Sequence, residues 1–485
     1  MSSPADTTAF SEMKRVLSVQ KTAFINEGEV TAEVRIERLQ RAYNMIAENQ
    51  HDIIDVSTSD FGNRSRHQAQ MSEVLSVMGG FEHSMKNLRH WMKNERRKVM
   101  FPLNLMGAKA RVEYVPKGVV GVLGTWNFPV YTALSPVAGI LAAGNRAMVK
   151  LSELNPQTAA LMKALIDRYF DESELYAVTG GPETGAEFAA LPLDHIIFTG
   201  GTNIGKHILH AAMNNLTPCT LELGGKSPVI VGRSYELKKA AERIMTGKAL
   251  NIGQACLAPD YCFVPEEKLE DFTQAAISHF SEMFPSVLEN PDYTAVINER
   301  HHQRLASMIE DARSKGGDVR VINPANEDFS QQKPGIHKMP MTLVINPSDD
   351  MRVMQEELFG AILCIKSYKN VGECIQYINS RPRPLGLYYF GEDPVEERMV
   401  LDRTISGGVS INDVMAHASC EDLPFGGIGH SGMGNYHGFD GFKTFSHQRA
   451  IYKQMKLDLM KLSGMMPPYG EKCQKQLDKL TKAKK

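Results

Sequence analysis

The sequence predicts an α/β fold, in which parallel strands alternate with helices that cover both faces of a sheet. Short apolar runs of strand character, such as Val119–Leu123 and residues 195–198, are followed by helix-like segments or by glycine loops that open a helix. This alternation is typical of parallel sheets flanked by helices. The chain has 485 residues, which is enough for two or three domains of the usual size of about 100–200 residues.

The first hundred residues predict amphipathic helices. Over residues 31–46 apolar residues recur at three- and four-residue spacing, and Thr31 is placed to cap the first turn. Residues 110–115 then alternate like a half-exposed strand, and a Pro-Lys-Gly turn leads into the buried-type run 119–123. The α/β architecture is therefore predicted to begin at this point.

Two sets of alternating elements follow. The first set runs to Glu222 and contains strands at 147–149, 175–178 and 195–198, with a helix from Asn155 to residue 165. The second set predicts another α/β domain, with helices at 236–250 and 266–280 and strands at 261–264, 342–345 and 385–390.

Composition and charge exclude several classes of protein. Apolar residues make up 42%, charged residues 23%, and the formal net charge is -2, so there is no basic field of the kind that nucleic-acid binders use. No nucleic-acid partner is expected. The longest apolar region, residues 119–149, is interrupted by prolines and polar residues, whereas a spanning helix needs about 20 mostly apolar residues, so no membrane span is expected.

The cysteines indicate a reducing compartment. The chain has 7 of them, an odd number without any CxxC pair, so neither a disulfide framework nor a zinc ribbon is predicted. His301, His302 and His417 lack metal-ligand spacing, and no metal is expected. The N-terminal residues carry no secretory signal pattern. We therefore expect a cytoplasmic protein.

A glycine loop, Gly200-Gly-Thr-Asn-Ile-Gly205, follows a strand and opens a helix. Backbone N–H groups and the helix dipole favour a pyrophosphate at such a position. The loop is neither GxGxxG nor a complete P-loop. By itself it fits a simple strand-to-helix turn equally well.

Cys256 lies in the string Asn251-Ile-Gly-Gln-Ala-Cys256, which follows Leu221-Glu-Leu-Gly-Gly-Lys226 in the sequence. A lone cysteine is usually a small buried hydrophobe. However, a thiol can attack an aldehyde carbonyl, and a nearby carboxylate such as Glu222 can activate the water that releases the acid. These two strings predict an enzyme.

Seven strings along nearly the whole chain together resemble the aldehyde dehydrogenase family in order and approximate spacing. They are Trp126-Asn-Phe-Pro129, Met148-Val-Lys-Leu-Ser-Glu153, Phe198-Thr-Gly200, Leu221-Glu-Leu-Gly-Gly-Lys226, Asn251-Ile-Gly-Gln-Ala-Cys256, Glu356-Glu-Leu-Phe-Gly360 and Leu423-Pro-Phe-Gly-Gly427. Residues 412–415 and 429–438 look most like the class 3 branch and its bacterial coniferyl aldehyde dehydrogenase relatives.

This resemblance implies the aldehyde dehydrogenase fold, with a Rossmann-like cofactor domain, an α/β catalytic domain and a β bridging element that pairs two subunits into a homodimer. The implied boundaries are 1–92 and 118–222 for the NAD-binding domain, 223–413 for the catalytic domain, 93–117 and 414–447 for the bridging element, and 448–485 for a C-terminal tail.

The resemblance also implies roles for three residues. Cys256 is the nucleophile, Asn127 and the Cys256 backbone N–H donate to the oxyanion, and Glu222 activates water for hydrolysis of the thioester. On local sequence alone, Asn127 also fits a turn residue, and without Cys256 and its flanking residues Glu222 would fit a solvent-facing strand end. Glu357 stays open as an alternative base.

For the cofactor, the resemblance implies that Lys150 and Glu153 bind the adenosine ribose, and that Glu357 and Phe359 hold the nicotinamide end. A carboxylate near the ribose 2′ oxygen favours NAD over NADP, although relatives of this branch use both, and Lys150 and Glu153 also fit a solvated ion pair. The remaining implied contacts are Trp126, Thr199, Gly200, Gly201, Ile204, Gly205, Leu223 and Gly224.

The chain departs from the family pattern at two positions: Gly201 stands where most relatives have serine, and Ala361 where they have proline. Trp126, Phe128 and Tyr131 surround Asn127 in sequence, and they predict an aromatic-lined pocket for an aromatic, coniferyl-like or medium-chain aldehyde. Two alternatives stay open, namely a relative that passes the acyl group to coenzyme A and a non-catalytic structural or binding protein on the same fold.

Overall fold

A computed structural model of the chain describes residues 4–101 and 103–482. The ends of the predicted cofactor domain and tail, residues 1–3 and 483–485, lie outside the described residues, as does residue 102 of the predicted bridging element. The chain forms two compact units. The larger unit consists of the chain up to Trp91 and of Pro116–Ser446, and the smaller unit consists of Met92–Val115 and the chain from His447.

The helices share a modest length, and most of them have one buried face. Their bounds are α1 Pro4–Glu27, α2 Ala32–Glu48, α3 Gln50–Asp60, α4 Arg66–Ala69, α5 Ser76–Trp91, α6 Pro129–Ala142, α7 Pro156–Tyr169, α8 Pro182–Ala189, α9 Thr202–Met213, α10 Leu237–Ala249, α11 Leu269–Met283, α12 Glu299–Ser314, α13 Arg352–Gln355, α14 Val371–Asn379, α15 Pro394–Arg403, α16 Gly438–Thr444, α17 Leu459–Ser463 and α18 Glu471–Leu480.

The strands belong to three sheets. Their bounds are β1 Glu95–Arg97, β2 Lys109–Pro116, β3 Val119–Leu123, β4 Arg146–Lys150, β5 Leu175–Val178, β6 His195–Gly200, β7 Cys219–Leu223, β8 Ser227–Val231, β9 Pro259–Pro265, β10 Asp318–Ile322, β11 Met341–Ile345, β12 Ile362–Tyr368, β13 Gly386–Phe390, β14 Gly408–Ile411, β15 Gly432–Met433 and β16 Ser446–Lys453.

The first sheet of the larger unit has the strand order β15-β7-β6-β3-β4-β5. Strands β3 to β7 are parallel, and β3 and β4 are buried along their whole length, as expected for strands covered on both faces. Thr199 lies opposite Glu222 at the carboxyl ends of β6 and β7. In open α/β sheets ligands bind at this edge.

The second sheet of the larger unit has the order β10-β11-β12-β9-β8-β13-β14. Only its edge strand β10 is antiparallel among the paired strands described. The core on this sheet includes Val229, Cys262, Leu363 and Tyr388, all fully buried. Two sheets with flanking helices confirm the predicted α/β fold.

Several predicted elements have the bounds that the pattern indicated. Strands β3 and β5 match residues 119–123 and 175–178, and Thr31 caps α2, accepting a hydrogen bond from the Val34 N–H. Asn155 precedes α7 as predicted, but its side chain makes no capping hydrogen bond.

A three-stranded sheet contains residues of both the predicted bridging element and the predicted tail. The smaller unit contains a three-stranded sheet of order β1-β2-β16, so its third strand comes from Ser446–Lys453 and not from residues 414–445. In the larger unit, Gly432 of β15 pairs with Glu222. A Cβ atom at Gly432 would lie 2.2 Å from the Leu221 carbonyl oxygen, and glycine therefore lets β15 lie directly against β7.

Within the described part of the chain, none of the helices combines the length and the apolar character that crossing a membrane requires.

Candidate active site

Glu222 lies at the carboxyl end of β7, where the antiparallel β15 covers the strand edge. Its side chain is 2% exposed, and neither carboxylate oxygen has a hydrogen-bond partner among the described residues. Burial raises the pKa of Glu222 well above the ordinary value of a glutamate. A buried carboxyl group without partners is costly, and such groups are concentrated at functional sites.

Cys256 follows a turn with unusual backbone. Asn251, Ile252 and Gly253 have φ values of 48°, 52° and 74°, in the left-handed region that disfavours residues other than glycine. The buried side chain of Gln254 stabilises the turn, because its Nε2 donates to the carbonyl oxygens of Asn251 and Ala295, both at 3.0 Å. The sequence does not predict this strained backbone, because Asn followed by Ile is not a usual combination for two successive residues with positive φ.

Asn127 is joined to the same turn. Its Nδ2 donates to the Gln254 carbonyl oxygen at 3.1 Å, and the Asn251 Nδ2 donates to the Asn127 carbonyl oxygen at 3.0 Å. An amide nitrogen carries two hydrogens, so one N–H of Asn127 is still available as a donor. The structure thus brings the predicted oxyanion donor and the predicted nucleophile segment together.

The thiol of Cys256 is in a negative environment. Burial raises the pKa of Cys256 above that of an ordinary cysteine, and the carboxylates of Glu222 and Glu357 raise it further. Without a positive charge or a base, this thiol stays protonated at neutral pH.

Glu357 and Phe359 lie on the loop between α13 and β12. The Glu357 Oε1 accepts a hydrogen bond from the Gly225 N–H at 3.0 Å, and burial raises the pKa of Glu357 to about 7. A Cβ atom at Gly224 would lie 2.2 Å from the Glu357 Oε2. The Phe359 ring packs edge-on against Trp126, with ring centroids 5.3 Å apart.

Three residues for which the sequence indicated no role hold this loop. Arg304 donates to the carbonyl oxygens of Glu357 and Leu358 at 3.1 and 2.7 Å. Lys226 pairs with Asp260, whose other oxygen accepts from the Leu358 N–H at 2.8 Å. Lys226 belongs to one of the family strings, and it also donates to the carbonyl oxygens of Val353 and Glu356, which lie 127 and 130 residues further along the chain.

The predicted adenosine contacts also lie on elements of the first sheet. Lys150 ends β4, and its Nζ donates to the Glu153 Oε2 at 2.6 Å. Burial acts to raise the pKa of Glu153, but the hydrogen bond from Lys150 outweighs it, and the pKa lies below its usual range. The pair therefore presents an ionised carboxylate and a buried ammonium group together.

The predicted pyrophosphate contacts surround the N-terminus of α9. Gly200 and Gly201 connect β6 to this helix, and the buried hydroxyl of Thr199 has no partner among the described residues. A Cβ atom at Gly205 would lie 2.7 Å from Leu223, so glycine permits close packing of α9 on β7. Ile204 is exposed beside this turn. A helix N-terminus, an unpartnered hydroxyl and an exposed apolar side chain fit a dinucleotide.

The three aromatic residues around Asn127 point in different directions. Trp126 contacts Phe359 and His301, and Phe128 lies against the guanidinium group of Arg64. Burial raises the pKa of Tyr131, and the acidic groups of Glu421, Cys256 and Glu222 raise it further. The Tyr131 hydroxyl is 3.0 Å from the His437 Nε2, which the sequence did not connect with the site because 306 residues separate the two.

Comparison with known proteins identifies the family of the chain. A family model described as "Aldehyde dehydrogenase family" matches residues 5–451. The chain is 50% identical over 460 residues to the coniferyl aldehyde dehydrogenase of a Pseudomonas species, covering 95% of this chain and 94% of that protein. It is 48% identical over 466 residues to the probable coniferyl aldehyde dehydrogenase of Caulobacter vibrioides, covering 96% of each.

A solved structure has the same fold. The substrate-bound state of Staphylococcus aureus AldH superposes with a TM-score of 0.88 at 34% identity, covering 97% of this chain and 99% of that one. The chain therefore belongs to the aldehyde dehydrogenase family and is an enzyme that oxidises an aldehyde to the carboxylic acid with NAD(P).

Proposed function

We propose that Cys256, Asn127 and Glu222 carry out this oxidation, with Glu222 as the base of the hydrolytic step. The observation that carries the proposal is the state of Glu222. Its carboxyl group is buried without a hydrogen bond from any described residue, and it is one of the two acidic groups that raise the pKa of the Cys256 thiol beyond the effect of burial. A group in that state takes up a proton readily, which suits a general base near neutral pH.

In the first half-reaction the Cys256 sulfur attacks the aldehyde carbon, and the thiol proton passes to solvent. The C=O bond becomes a C–O⁻ bond, which the second N–H of Asn127 and the Cys256 backbone N–H stabilise. When bound, NAD supplies a hydride acceptor and a positive ring charge that opposes the raised thiol pKa. The substrate carbon loses a hydride with its two electrons, and a thioester remains on Cys256.

In the second half-reaction water attacks the thioester carbon. Glu222 accepts one proton of this water, the C–S bond breaks, and the Cys256 thiolate leaves with the electron pair. The products are the carboxylic acid, the reduced cofactor and one proton. Glu357 is the weaker candidate for the base because its Oε1 is engaged by the Gly225 N–H.

For the cofactor we propose NAD in preference to NADP, held by the residues described above around Lys150, the α9 N-terminus and Glu357. The ionised Glu153 carboxylate opposes a 2′-phosphate. The buried ammonium of Lys150 offsets part of that repulsion, so NADP is expected to bind more weakly and not to be excluded.

For the substrate we propose an aromatic, cinnamyl-type aldehyde. The two coniferyl aldehyde dehydrogenases of similar sequence support this class. Burial raises the pKa of both Tyr131 and Tyr436, and the acidic groups of Cys256 and Glu222 contribute to both shifts, which supports aromatic surface near the reaction centre. Turnover of cinnamaldehyde with a higher kcat/KM than acetaldehyde or betaine aldehyde is the expected result, and a preference for betaine aldehyde would contradict this proposal.

Transfer of the acyl group to coenzyme A is not favoured, and neither is a non-catalytic role. Acyl transfer to a thiol needs no base for water, whereas Glu222 is buried beside the nucleophile. A non-catalytic protein would have no reason to keep an unpartnered buried carboxyl group next to a strained cysteine turn.

The proposed mechanism is tested with Glu222→Gln in rapid-mixing experiments. The amide keeps the shape of the side chain but takes no proton, so steady-state turnover should fall by about 10²–10⁴. A burst of NADH approaching one equivalent per site should precede a slow phase, and mass spectrometry should find the acyl group on Cys256. Glu357→Gln is the matched control for the alternative base.

Two outcomes would change the assignment. Full turnover of Glu222→Gln without a slow phase would remove Glu222 from the mechanism and leave Glu357 as the base. Loss of the burst together with slow turnover would mean that Glu222 also deprotonates the thiol.

A homodimer and a cytoplasmic location also remain proposals. The edge strands of the three-stranded sheet support the first, because an open sheet edge is a template for pairing with a second chain. The free thiols of the described cysteines fit a reducing compartment. Sedimentation equilibrium should give the mass of two chains, and a monomer at micromolar concentration would contradict the dimer.

A further inference from the structure

One short segment of the N-terminal helical region bonds both to the helix that follows Asn127 and to the turn that precedes Cys256. The segment contains α4 and a π-helical turn, Gln70–Leu75, before α5. Two of its polar side chains accept backbone hydrogen bonds from two segments of the site: Glu73 from the helix that follows Asn127, and Gln68 from the turn that precedes Cys256. These bonds do not involve the side chains of Asn127, Glu222 or Cys256.

Glu73 caps the helix that follows Asn127. Its Oε2 accepts hydrogen bonds from the N–H groups of Val130 and Tyr131 at 3.0 and 2.9 Å, in the first turn of α6. Phe128, at the N-cap position, provides no side-chain bond. A helix N-terminus leaves N–H groups without partners, and here a buried carboxylate from another helix satisfies two of them.

Glu73 is itself firmly held. Its side chain is 0% exposed, and its Oε1 accepts a hydrogen bond from the Arg64 Nη1 at 2.6 Å. Arg64 is 1% exposed and lies over the rings of Phe61 and Phe128. Donors converge on both oxygens, which is the geometry of an ionised carboxylate.

Gln68 reaches the nucleophile turn. Its Oε1 accepts a hydrogen bond from the Asn251 N–H at 2.9 Å. Asn251 is the first of the three left-handed residues before Cys256, and its side chain donates to the Asn127 carbonyl oxygen. A strained backbone persists only when its surroundings hold it, and Gln68 supplies one of those bonds.

Gln68 lies just before the π-helical turn, and Glu73 lies within it. Gln68 and Glu73 are five residues apart, a spacing that places side chains on different faces of an α-helix with 3.6 residues per turn. In the π-helical turn the Ser76 N–H bonds to the Met71 carbonyl oxygen, five residues back. This wider turn places residues five apart more nearly above one another, and such turns occur often at functional sites.

We propose that Gln68 and Glu73 are positioning residues for the oxyanion site. They set the distance between the Asn127 amide and the Cys256 backbone N–H by fixing the α6 N-terminus and the Asn251 turn to one rigid segment. This inference rests on the proposed role of Asn127. Oxyanion donors work only when they are pre-organised at the correct position.

The test is a double-mutant cycle on the acylation rate. The NADH burst with cinnamaldehyde is measured in Gln68→Ala, in Asn127→Ala and in the double variant. Asn127→Ala alone should slow the burst by about 10²–10³, and Gln68→Ala alone by about 10-fold or more, because small misplacements of catalytic groups are costly. In the Asn127→Ala background, Gln68→Ala should have little further effect.

Further variants separate positioning from general stability. Gln68→Glu keeps the acceptor oxygen and should restore most of the burst rate, while NAD affinity stays unchanged in all Gln68 variants. Gln70→Ala, which removes an exposed side chain bonded to Gln50, is the matched control in the same segment and should behave like the wild type. Glu73→Gln is combined with Asn127→Ala in a second double-mutant cycle, which tests the residue that caps α6. If Glu73→Gln does not fold, the cycle with Gln68→Ala alone tests the inference.

The outcomes are distinguishable. If Asn127→Ala leaves the burst unchanged, the proposed role of Asn127 fails, and the inference falls with it. If Asn127→Ala slows the burst but Gln68→Ala slows it equally in both backgrounds, Asn127 keeps its role and the positioning inference is overturned. An unchanged burst in Gln68→Ala alone would also overturn it.

Discussion

Unsatisfied buried polar atoms mark the candidate active site at the scale of single residues. The oxygens of Glu222, the Asn127 Oδ1 and the Thr199 hydroxyl are buried without hydrogen-bond partners among the described residues. Each such group costs about 1–3 kcal/mol of stability when left unpaired. We infer that substrate, water and cofactor complete these bonds, and that the free enzyme is less stable for this reason.

Glu222→Gln should therefore stabilise the protein, and more strongly at pH 8 than at pH 5. The folded-state pKa of Glu222 is raised above the unfolded value, so its protonated form is favoured in the fold. The stabilising contribution of protonated Glu222 is fully present below the pKa that this residue has in the unfolded chain. It is lost as the pH rises through the pKa of Glu222 in the folded state. The neutral amide avoids that loss. Thermal unfolding at both pH values measures the difference, expected to be a few degrees in Tm.

Glu174→Gln is the control for which the effect on stability should depend on pH in the opposite direction. Burial acts to raise the pKa of Glu174, but its hydrogen bonds and ion pairs with Arg41 and Arg38 lower it. Its stabilising contribution is present above the unfolded pKa and is lost as the pH falls through the folded pKa. This variant should be destabilised more at pH 7 than at pH 4. A pH-independent effect of Glu222→Gln would contradict the assigned ionisation.

Cys256→Ala should abolish aldehyde oxidation and leave NAD binding nearly intact, because the cofactor contacts lie on other elements. Cys262→Ala is the control, since Cys262 is fully buried in β9 and should lose some stability but keep its activity. Steady-state assays and NAD titration by fluorescence measure both effects. More than a few per cent of wild-type turnover in Cys256→Ala would remove this residue as the nucleophile.

At the scale of elements, the α9 N-terminus lacks a side-chain cap. Gly201 stands at its N-cap position with φ -72° and ψ 146°, a conformation that any residue adopts, and its Cβ position is open. Serine is a favoured cap, better than glycine by a few tenths of a kcal/mol. The departure from the family pattern at Gly201 is therefore not imposed by the local structure.

Gly201→Ser should raise Tm slightly and lower KM for NAD by up to about 10-fold, because a hydroxyl at this position can bond to a charged phosphate. Gly201→Ala supplies a methyl group without a hydroxyl and should improve neither property. Initial-rate kinetics with varied NAD measures the effect. Equal KM values for NAD in the serine and alanine variants would show that this turn does not contact the pyrophosphate.

On the scale of the whole molecule, the larger unit combines a first sheet that bears most of the predicted cofactor contacts with a second sheet whose strands β8 and β9 precede and follow Cys256 in the chain. Ligand that binds only the folded state stabilises it, by about 2.7 kcal/mol at a concentration of 100 Kd. NAD should therefore raise Tm of the full chain in a concentration-dependent manner.

NADP should raise Tm less than NAD at equal concentration, since the Glu153 carboxylate repels a 2′-phosphate. Glu153→Gln removes this charge while the amide still accepts a hydrogen bond, and it should narrow the gap between the two cofactors. Differential scanning fluorimetry across a cofactor series measures both shifts. An equal or larger shift with NADP in the wild-type chain would contradict the proposed preference.

The sequence by itself determined the family, the α/β fold and the aldehyde oxidation, and these predictions are confirmed. Buried parallel strands such as β3 and β5 are continuous apolar runs, so their bounds are readable without a structure. The strings around Cys256, Glu222 and Asn127 are short and local, and they carry the chemistry in their residue types. The individual site roles stay predictions.

Only the tertiary structure decided which distant residues support that chemistry. Glu73 bonds to residues 57 and 58 positions away, and Gln68 bonds to Asn251 across 183 positions. The two-residue strand β15 has no periodicity from which its pairing with β7 could be read. Hydrogen bonds between remote segments depend on how the chain folds back on itself, and local sequence patterns contain no record of that geometry.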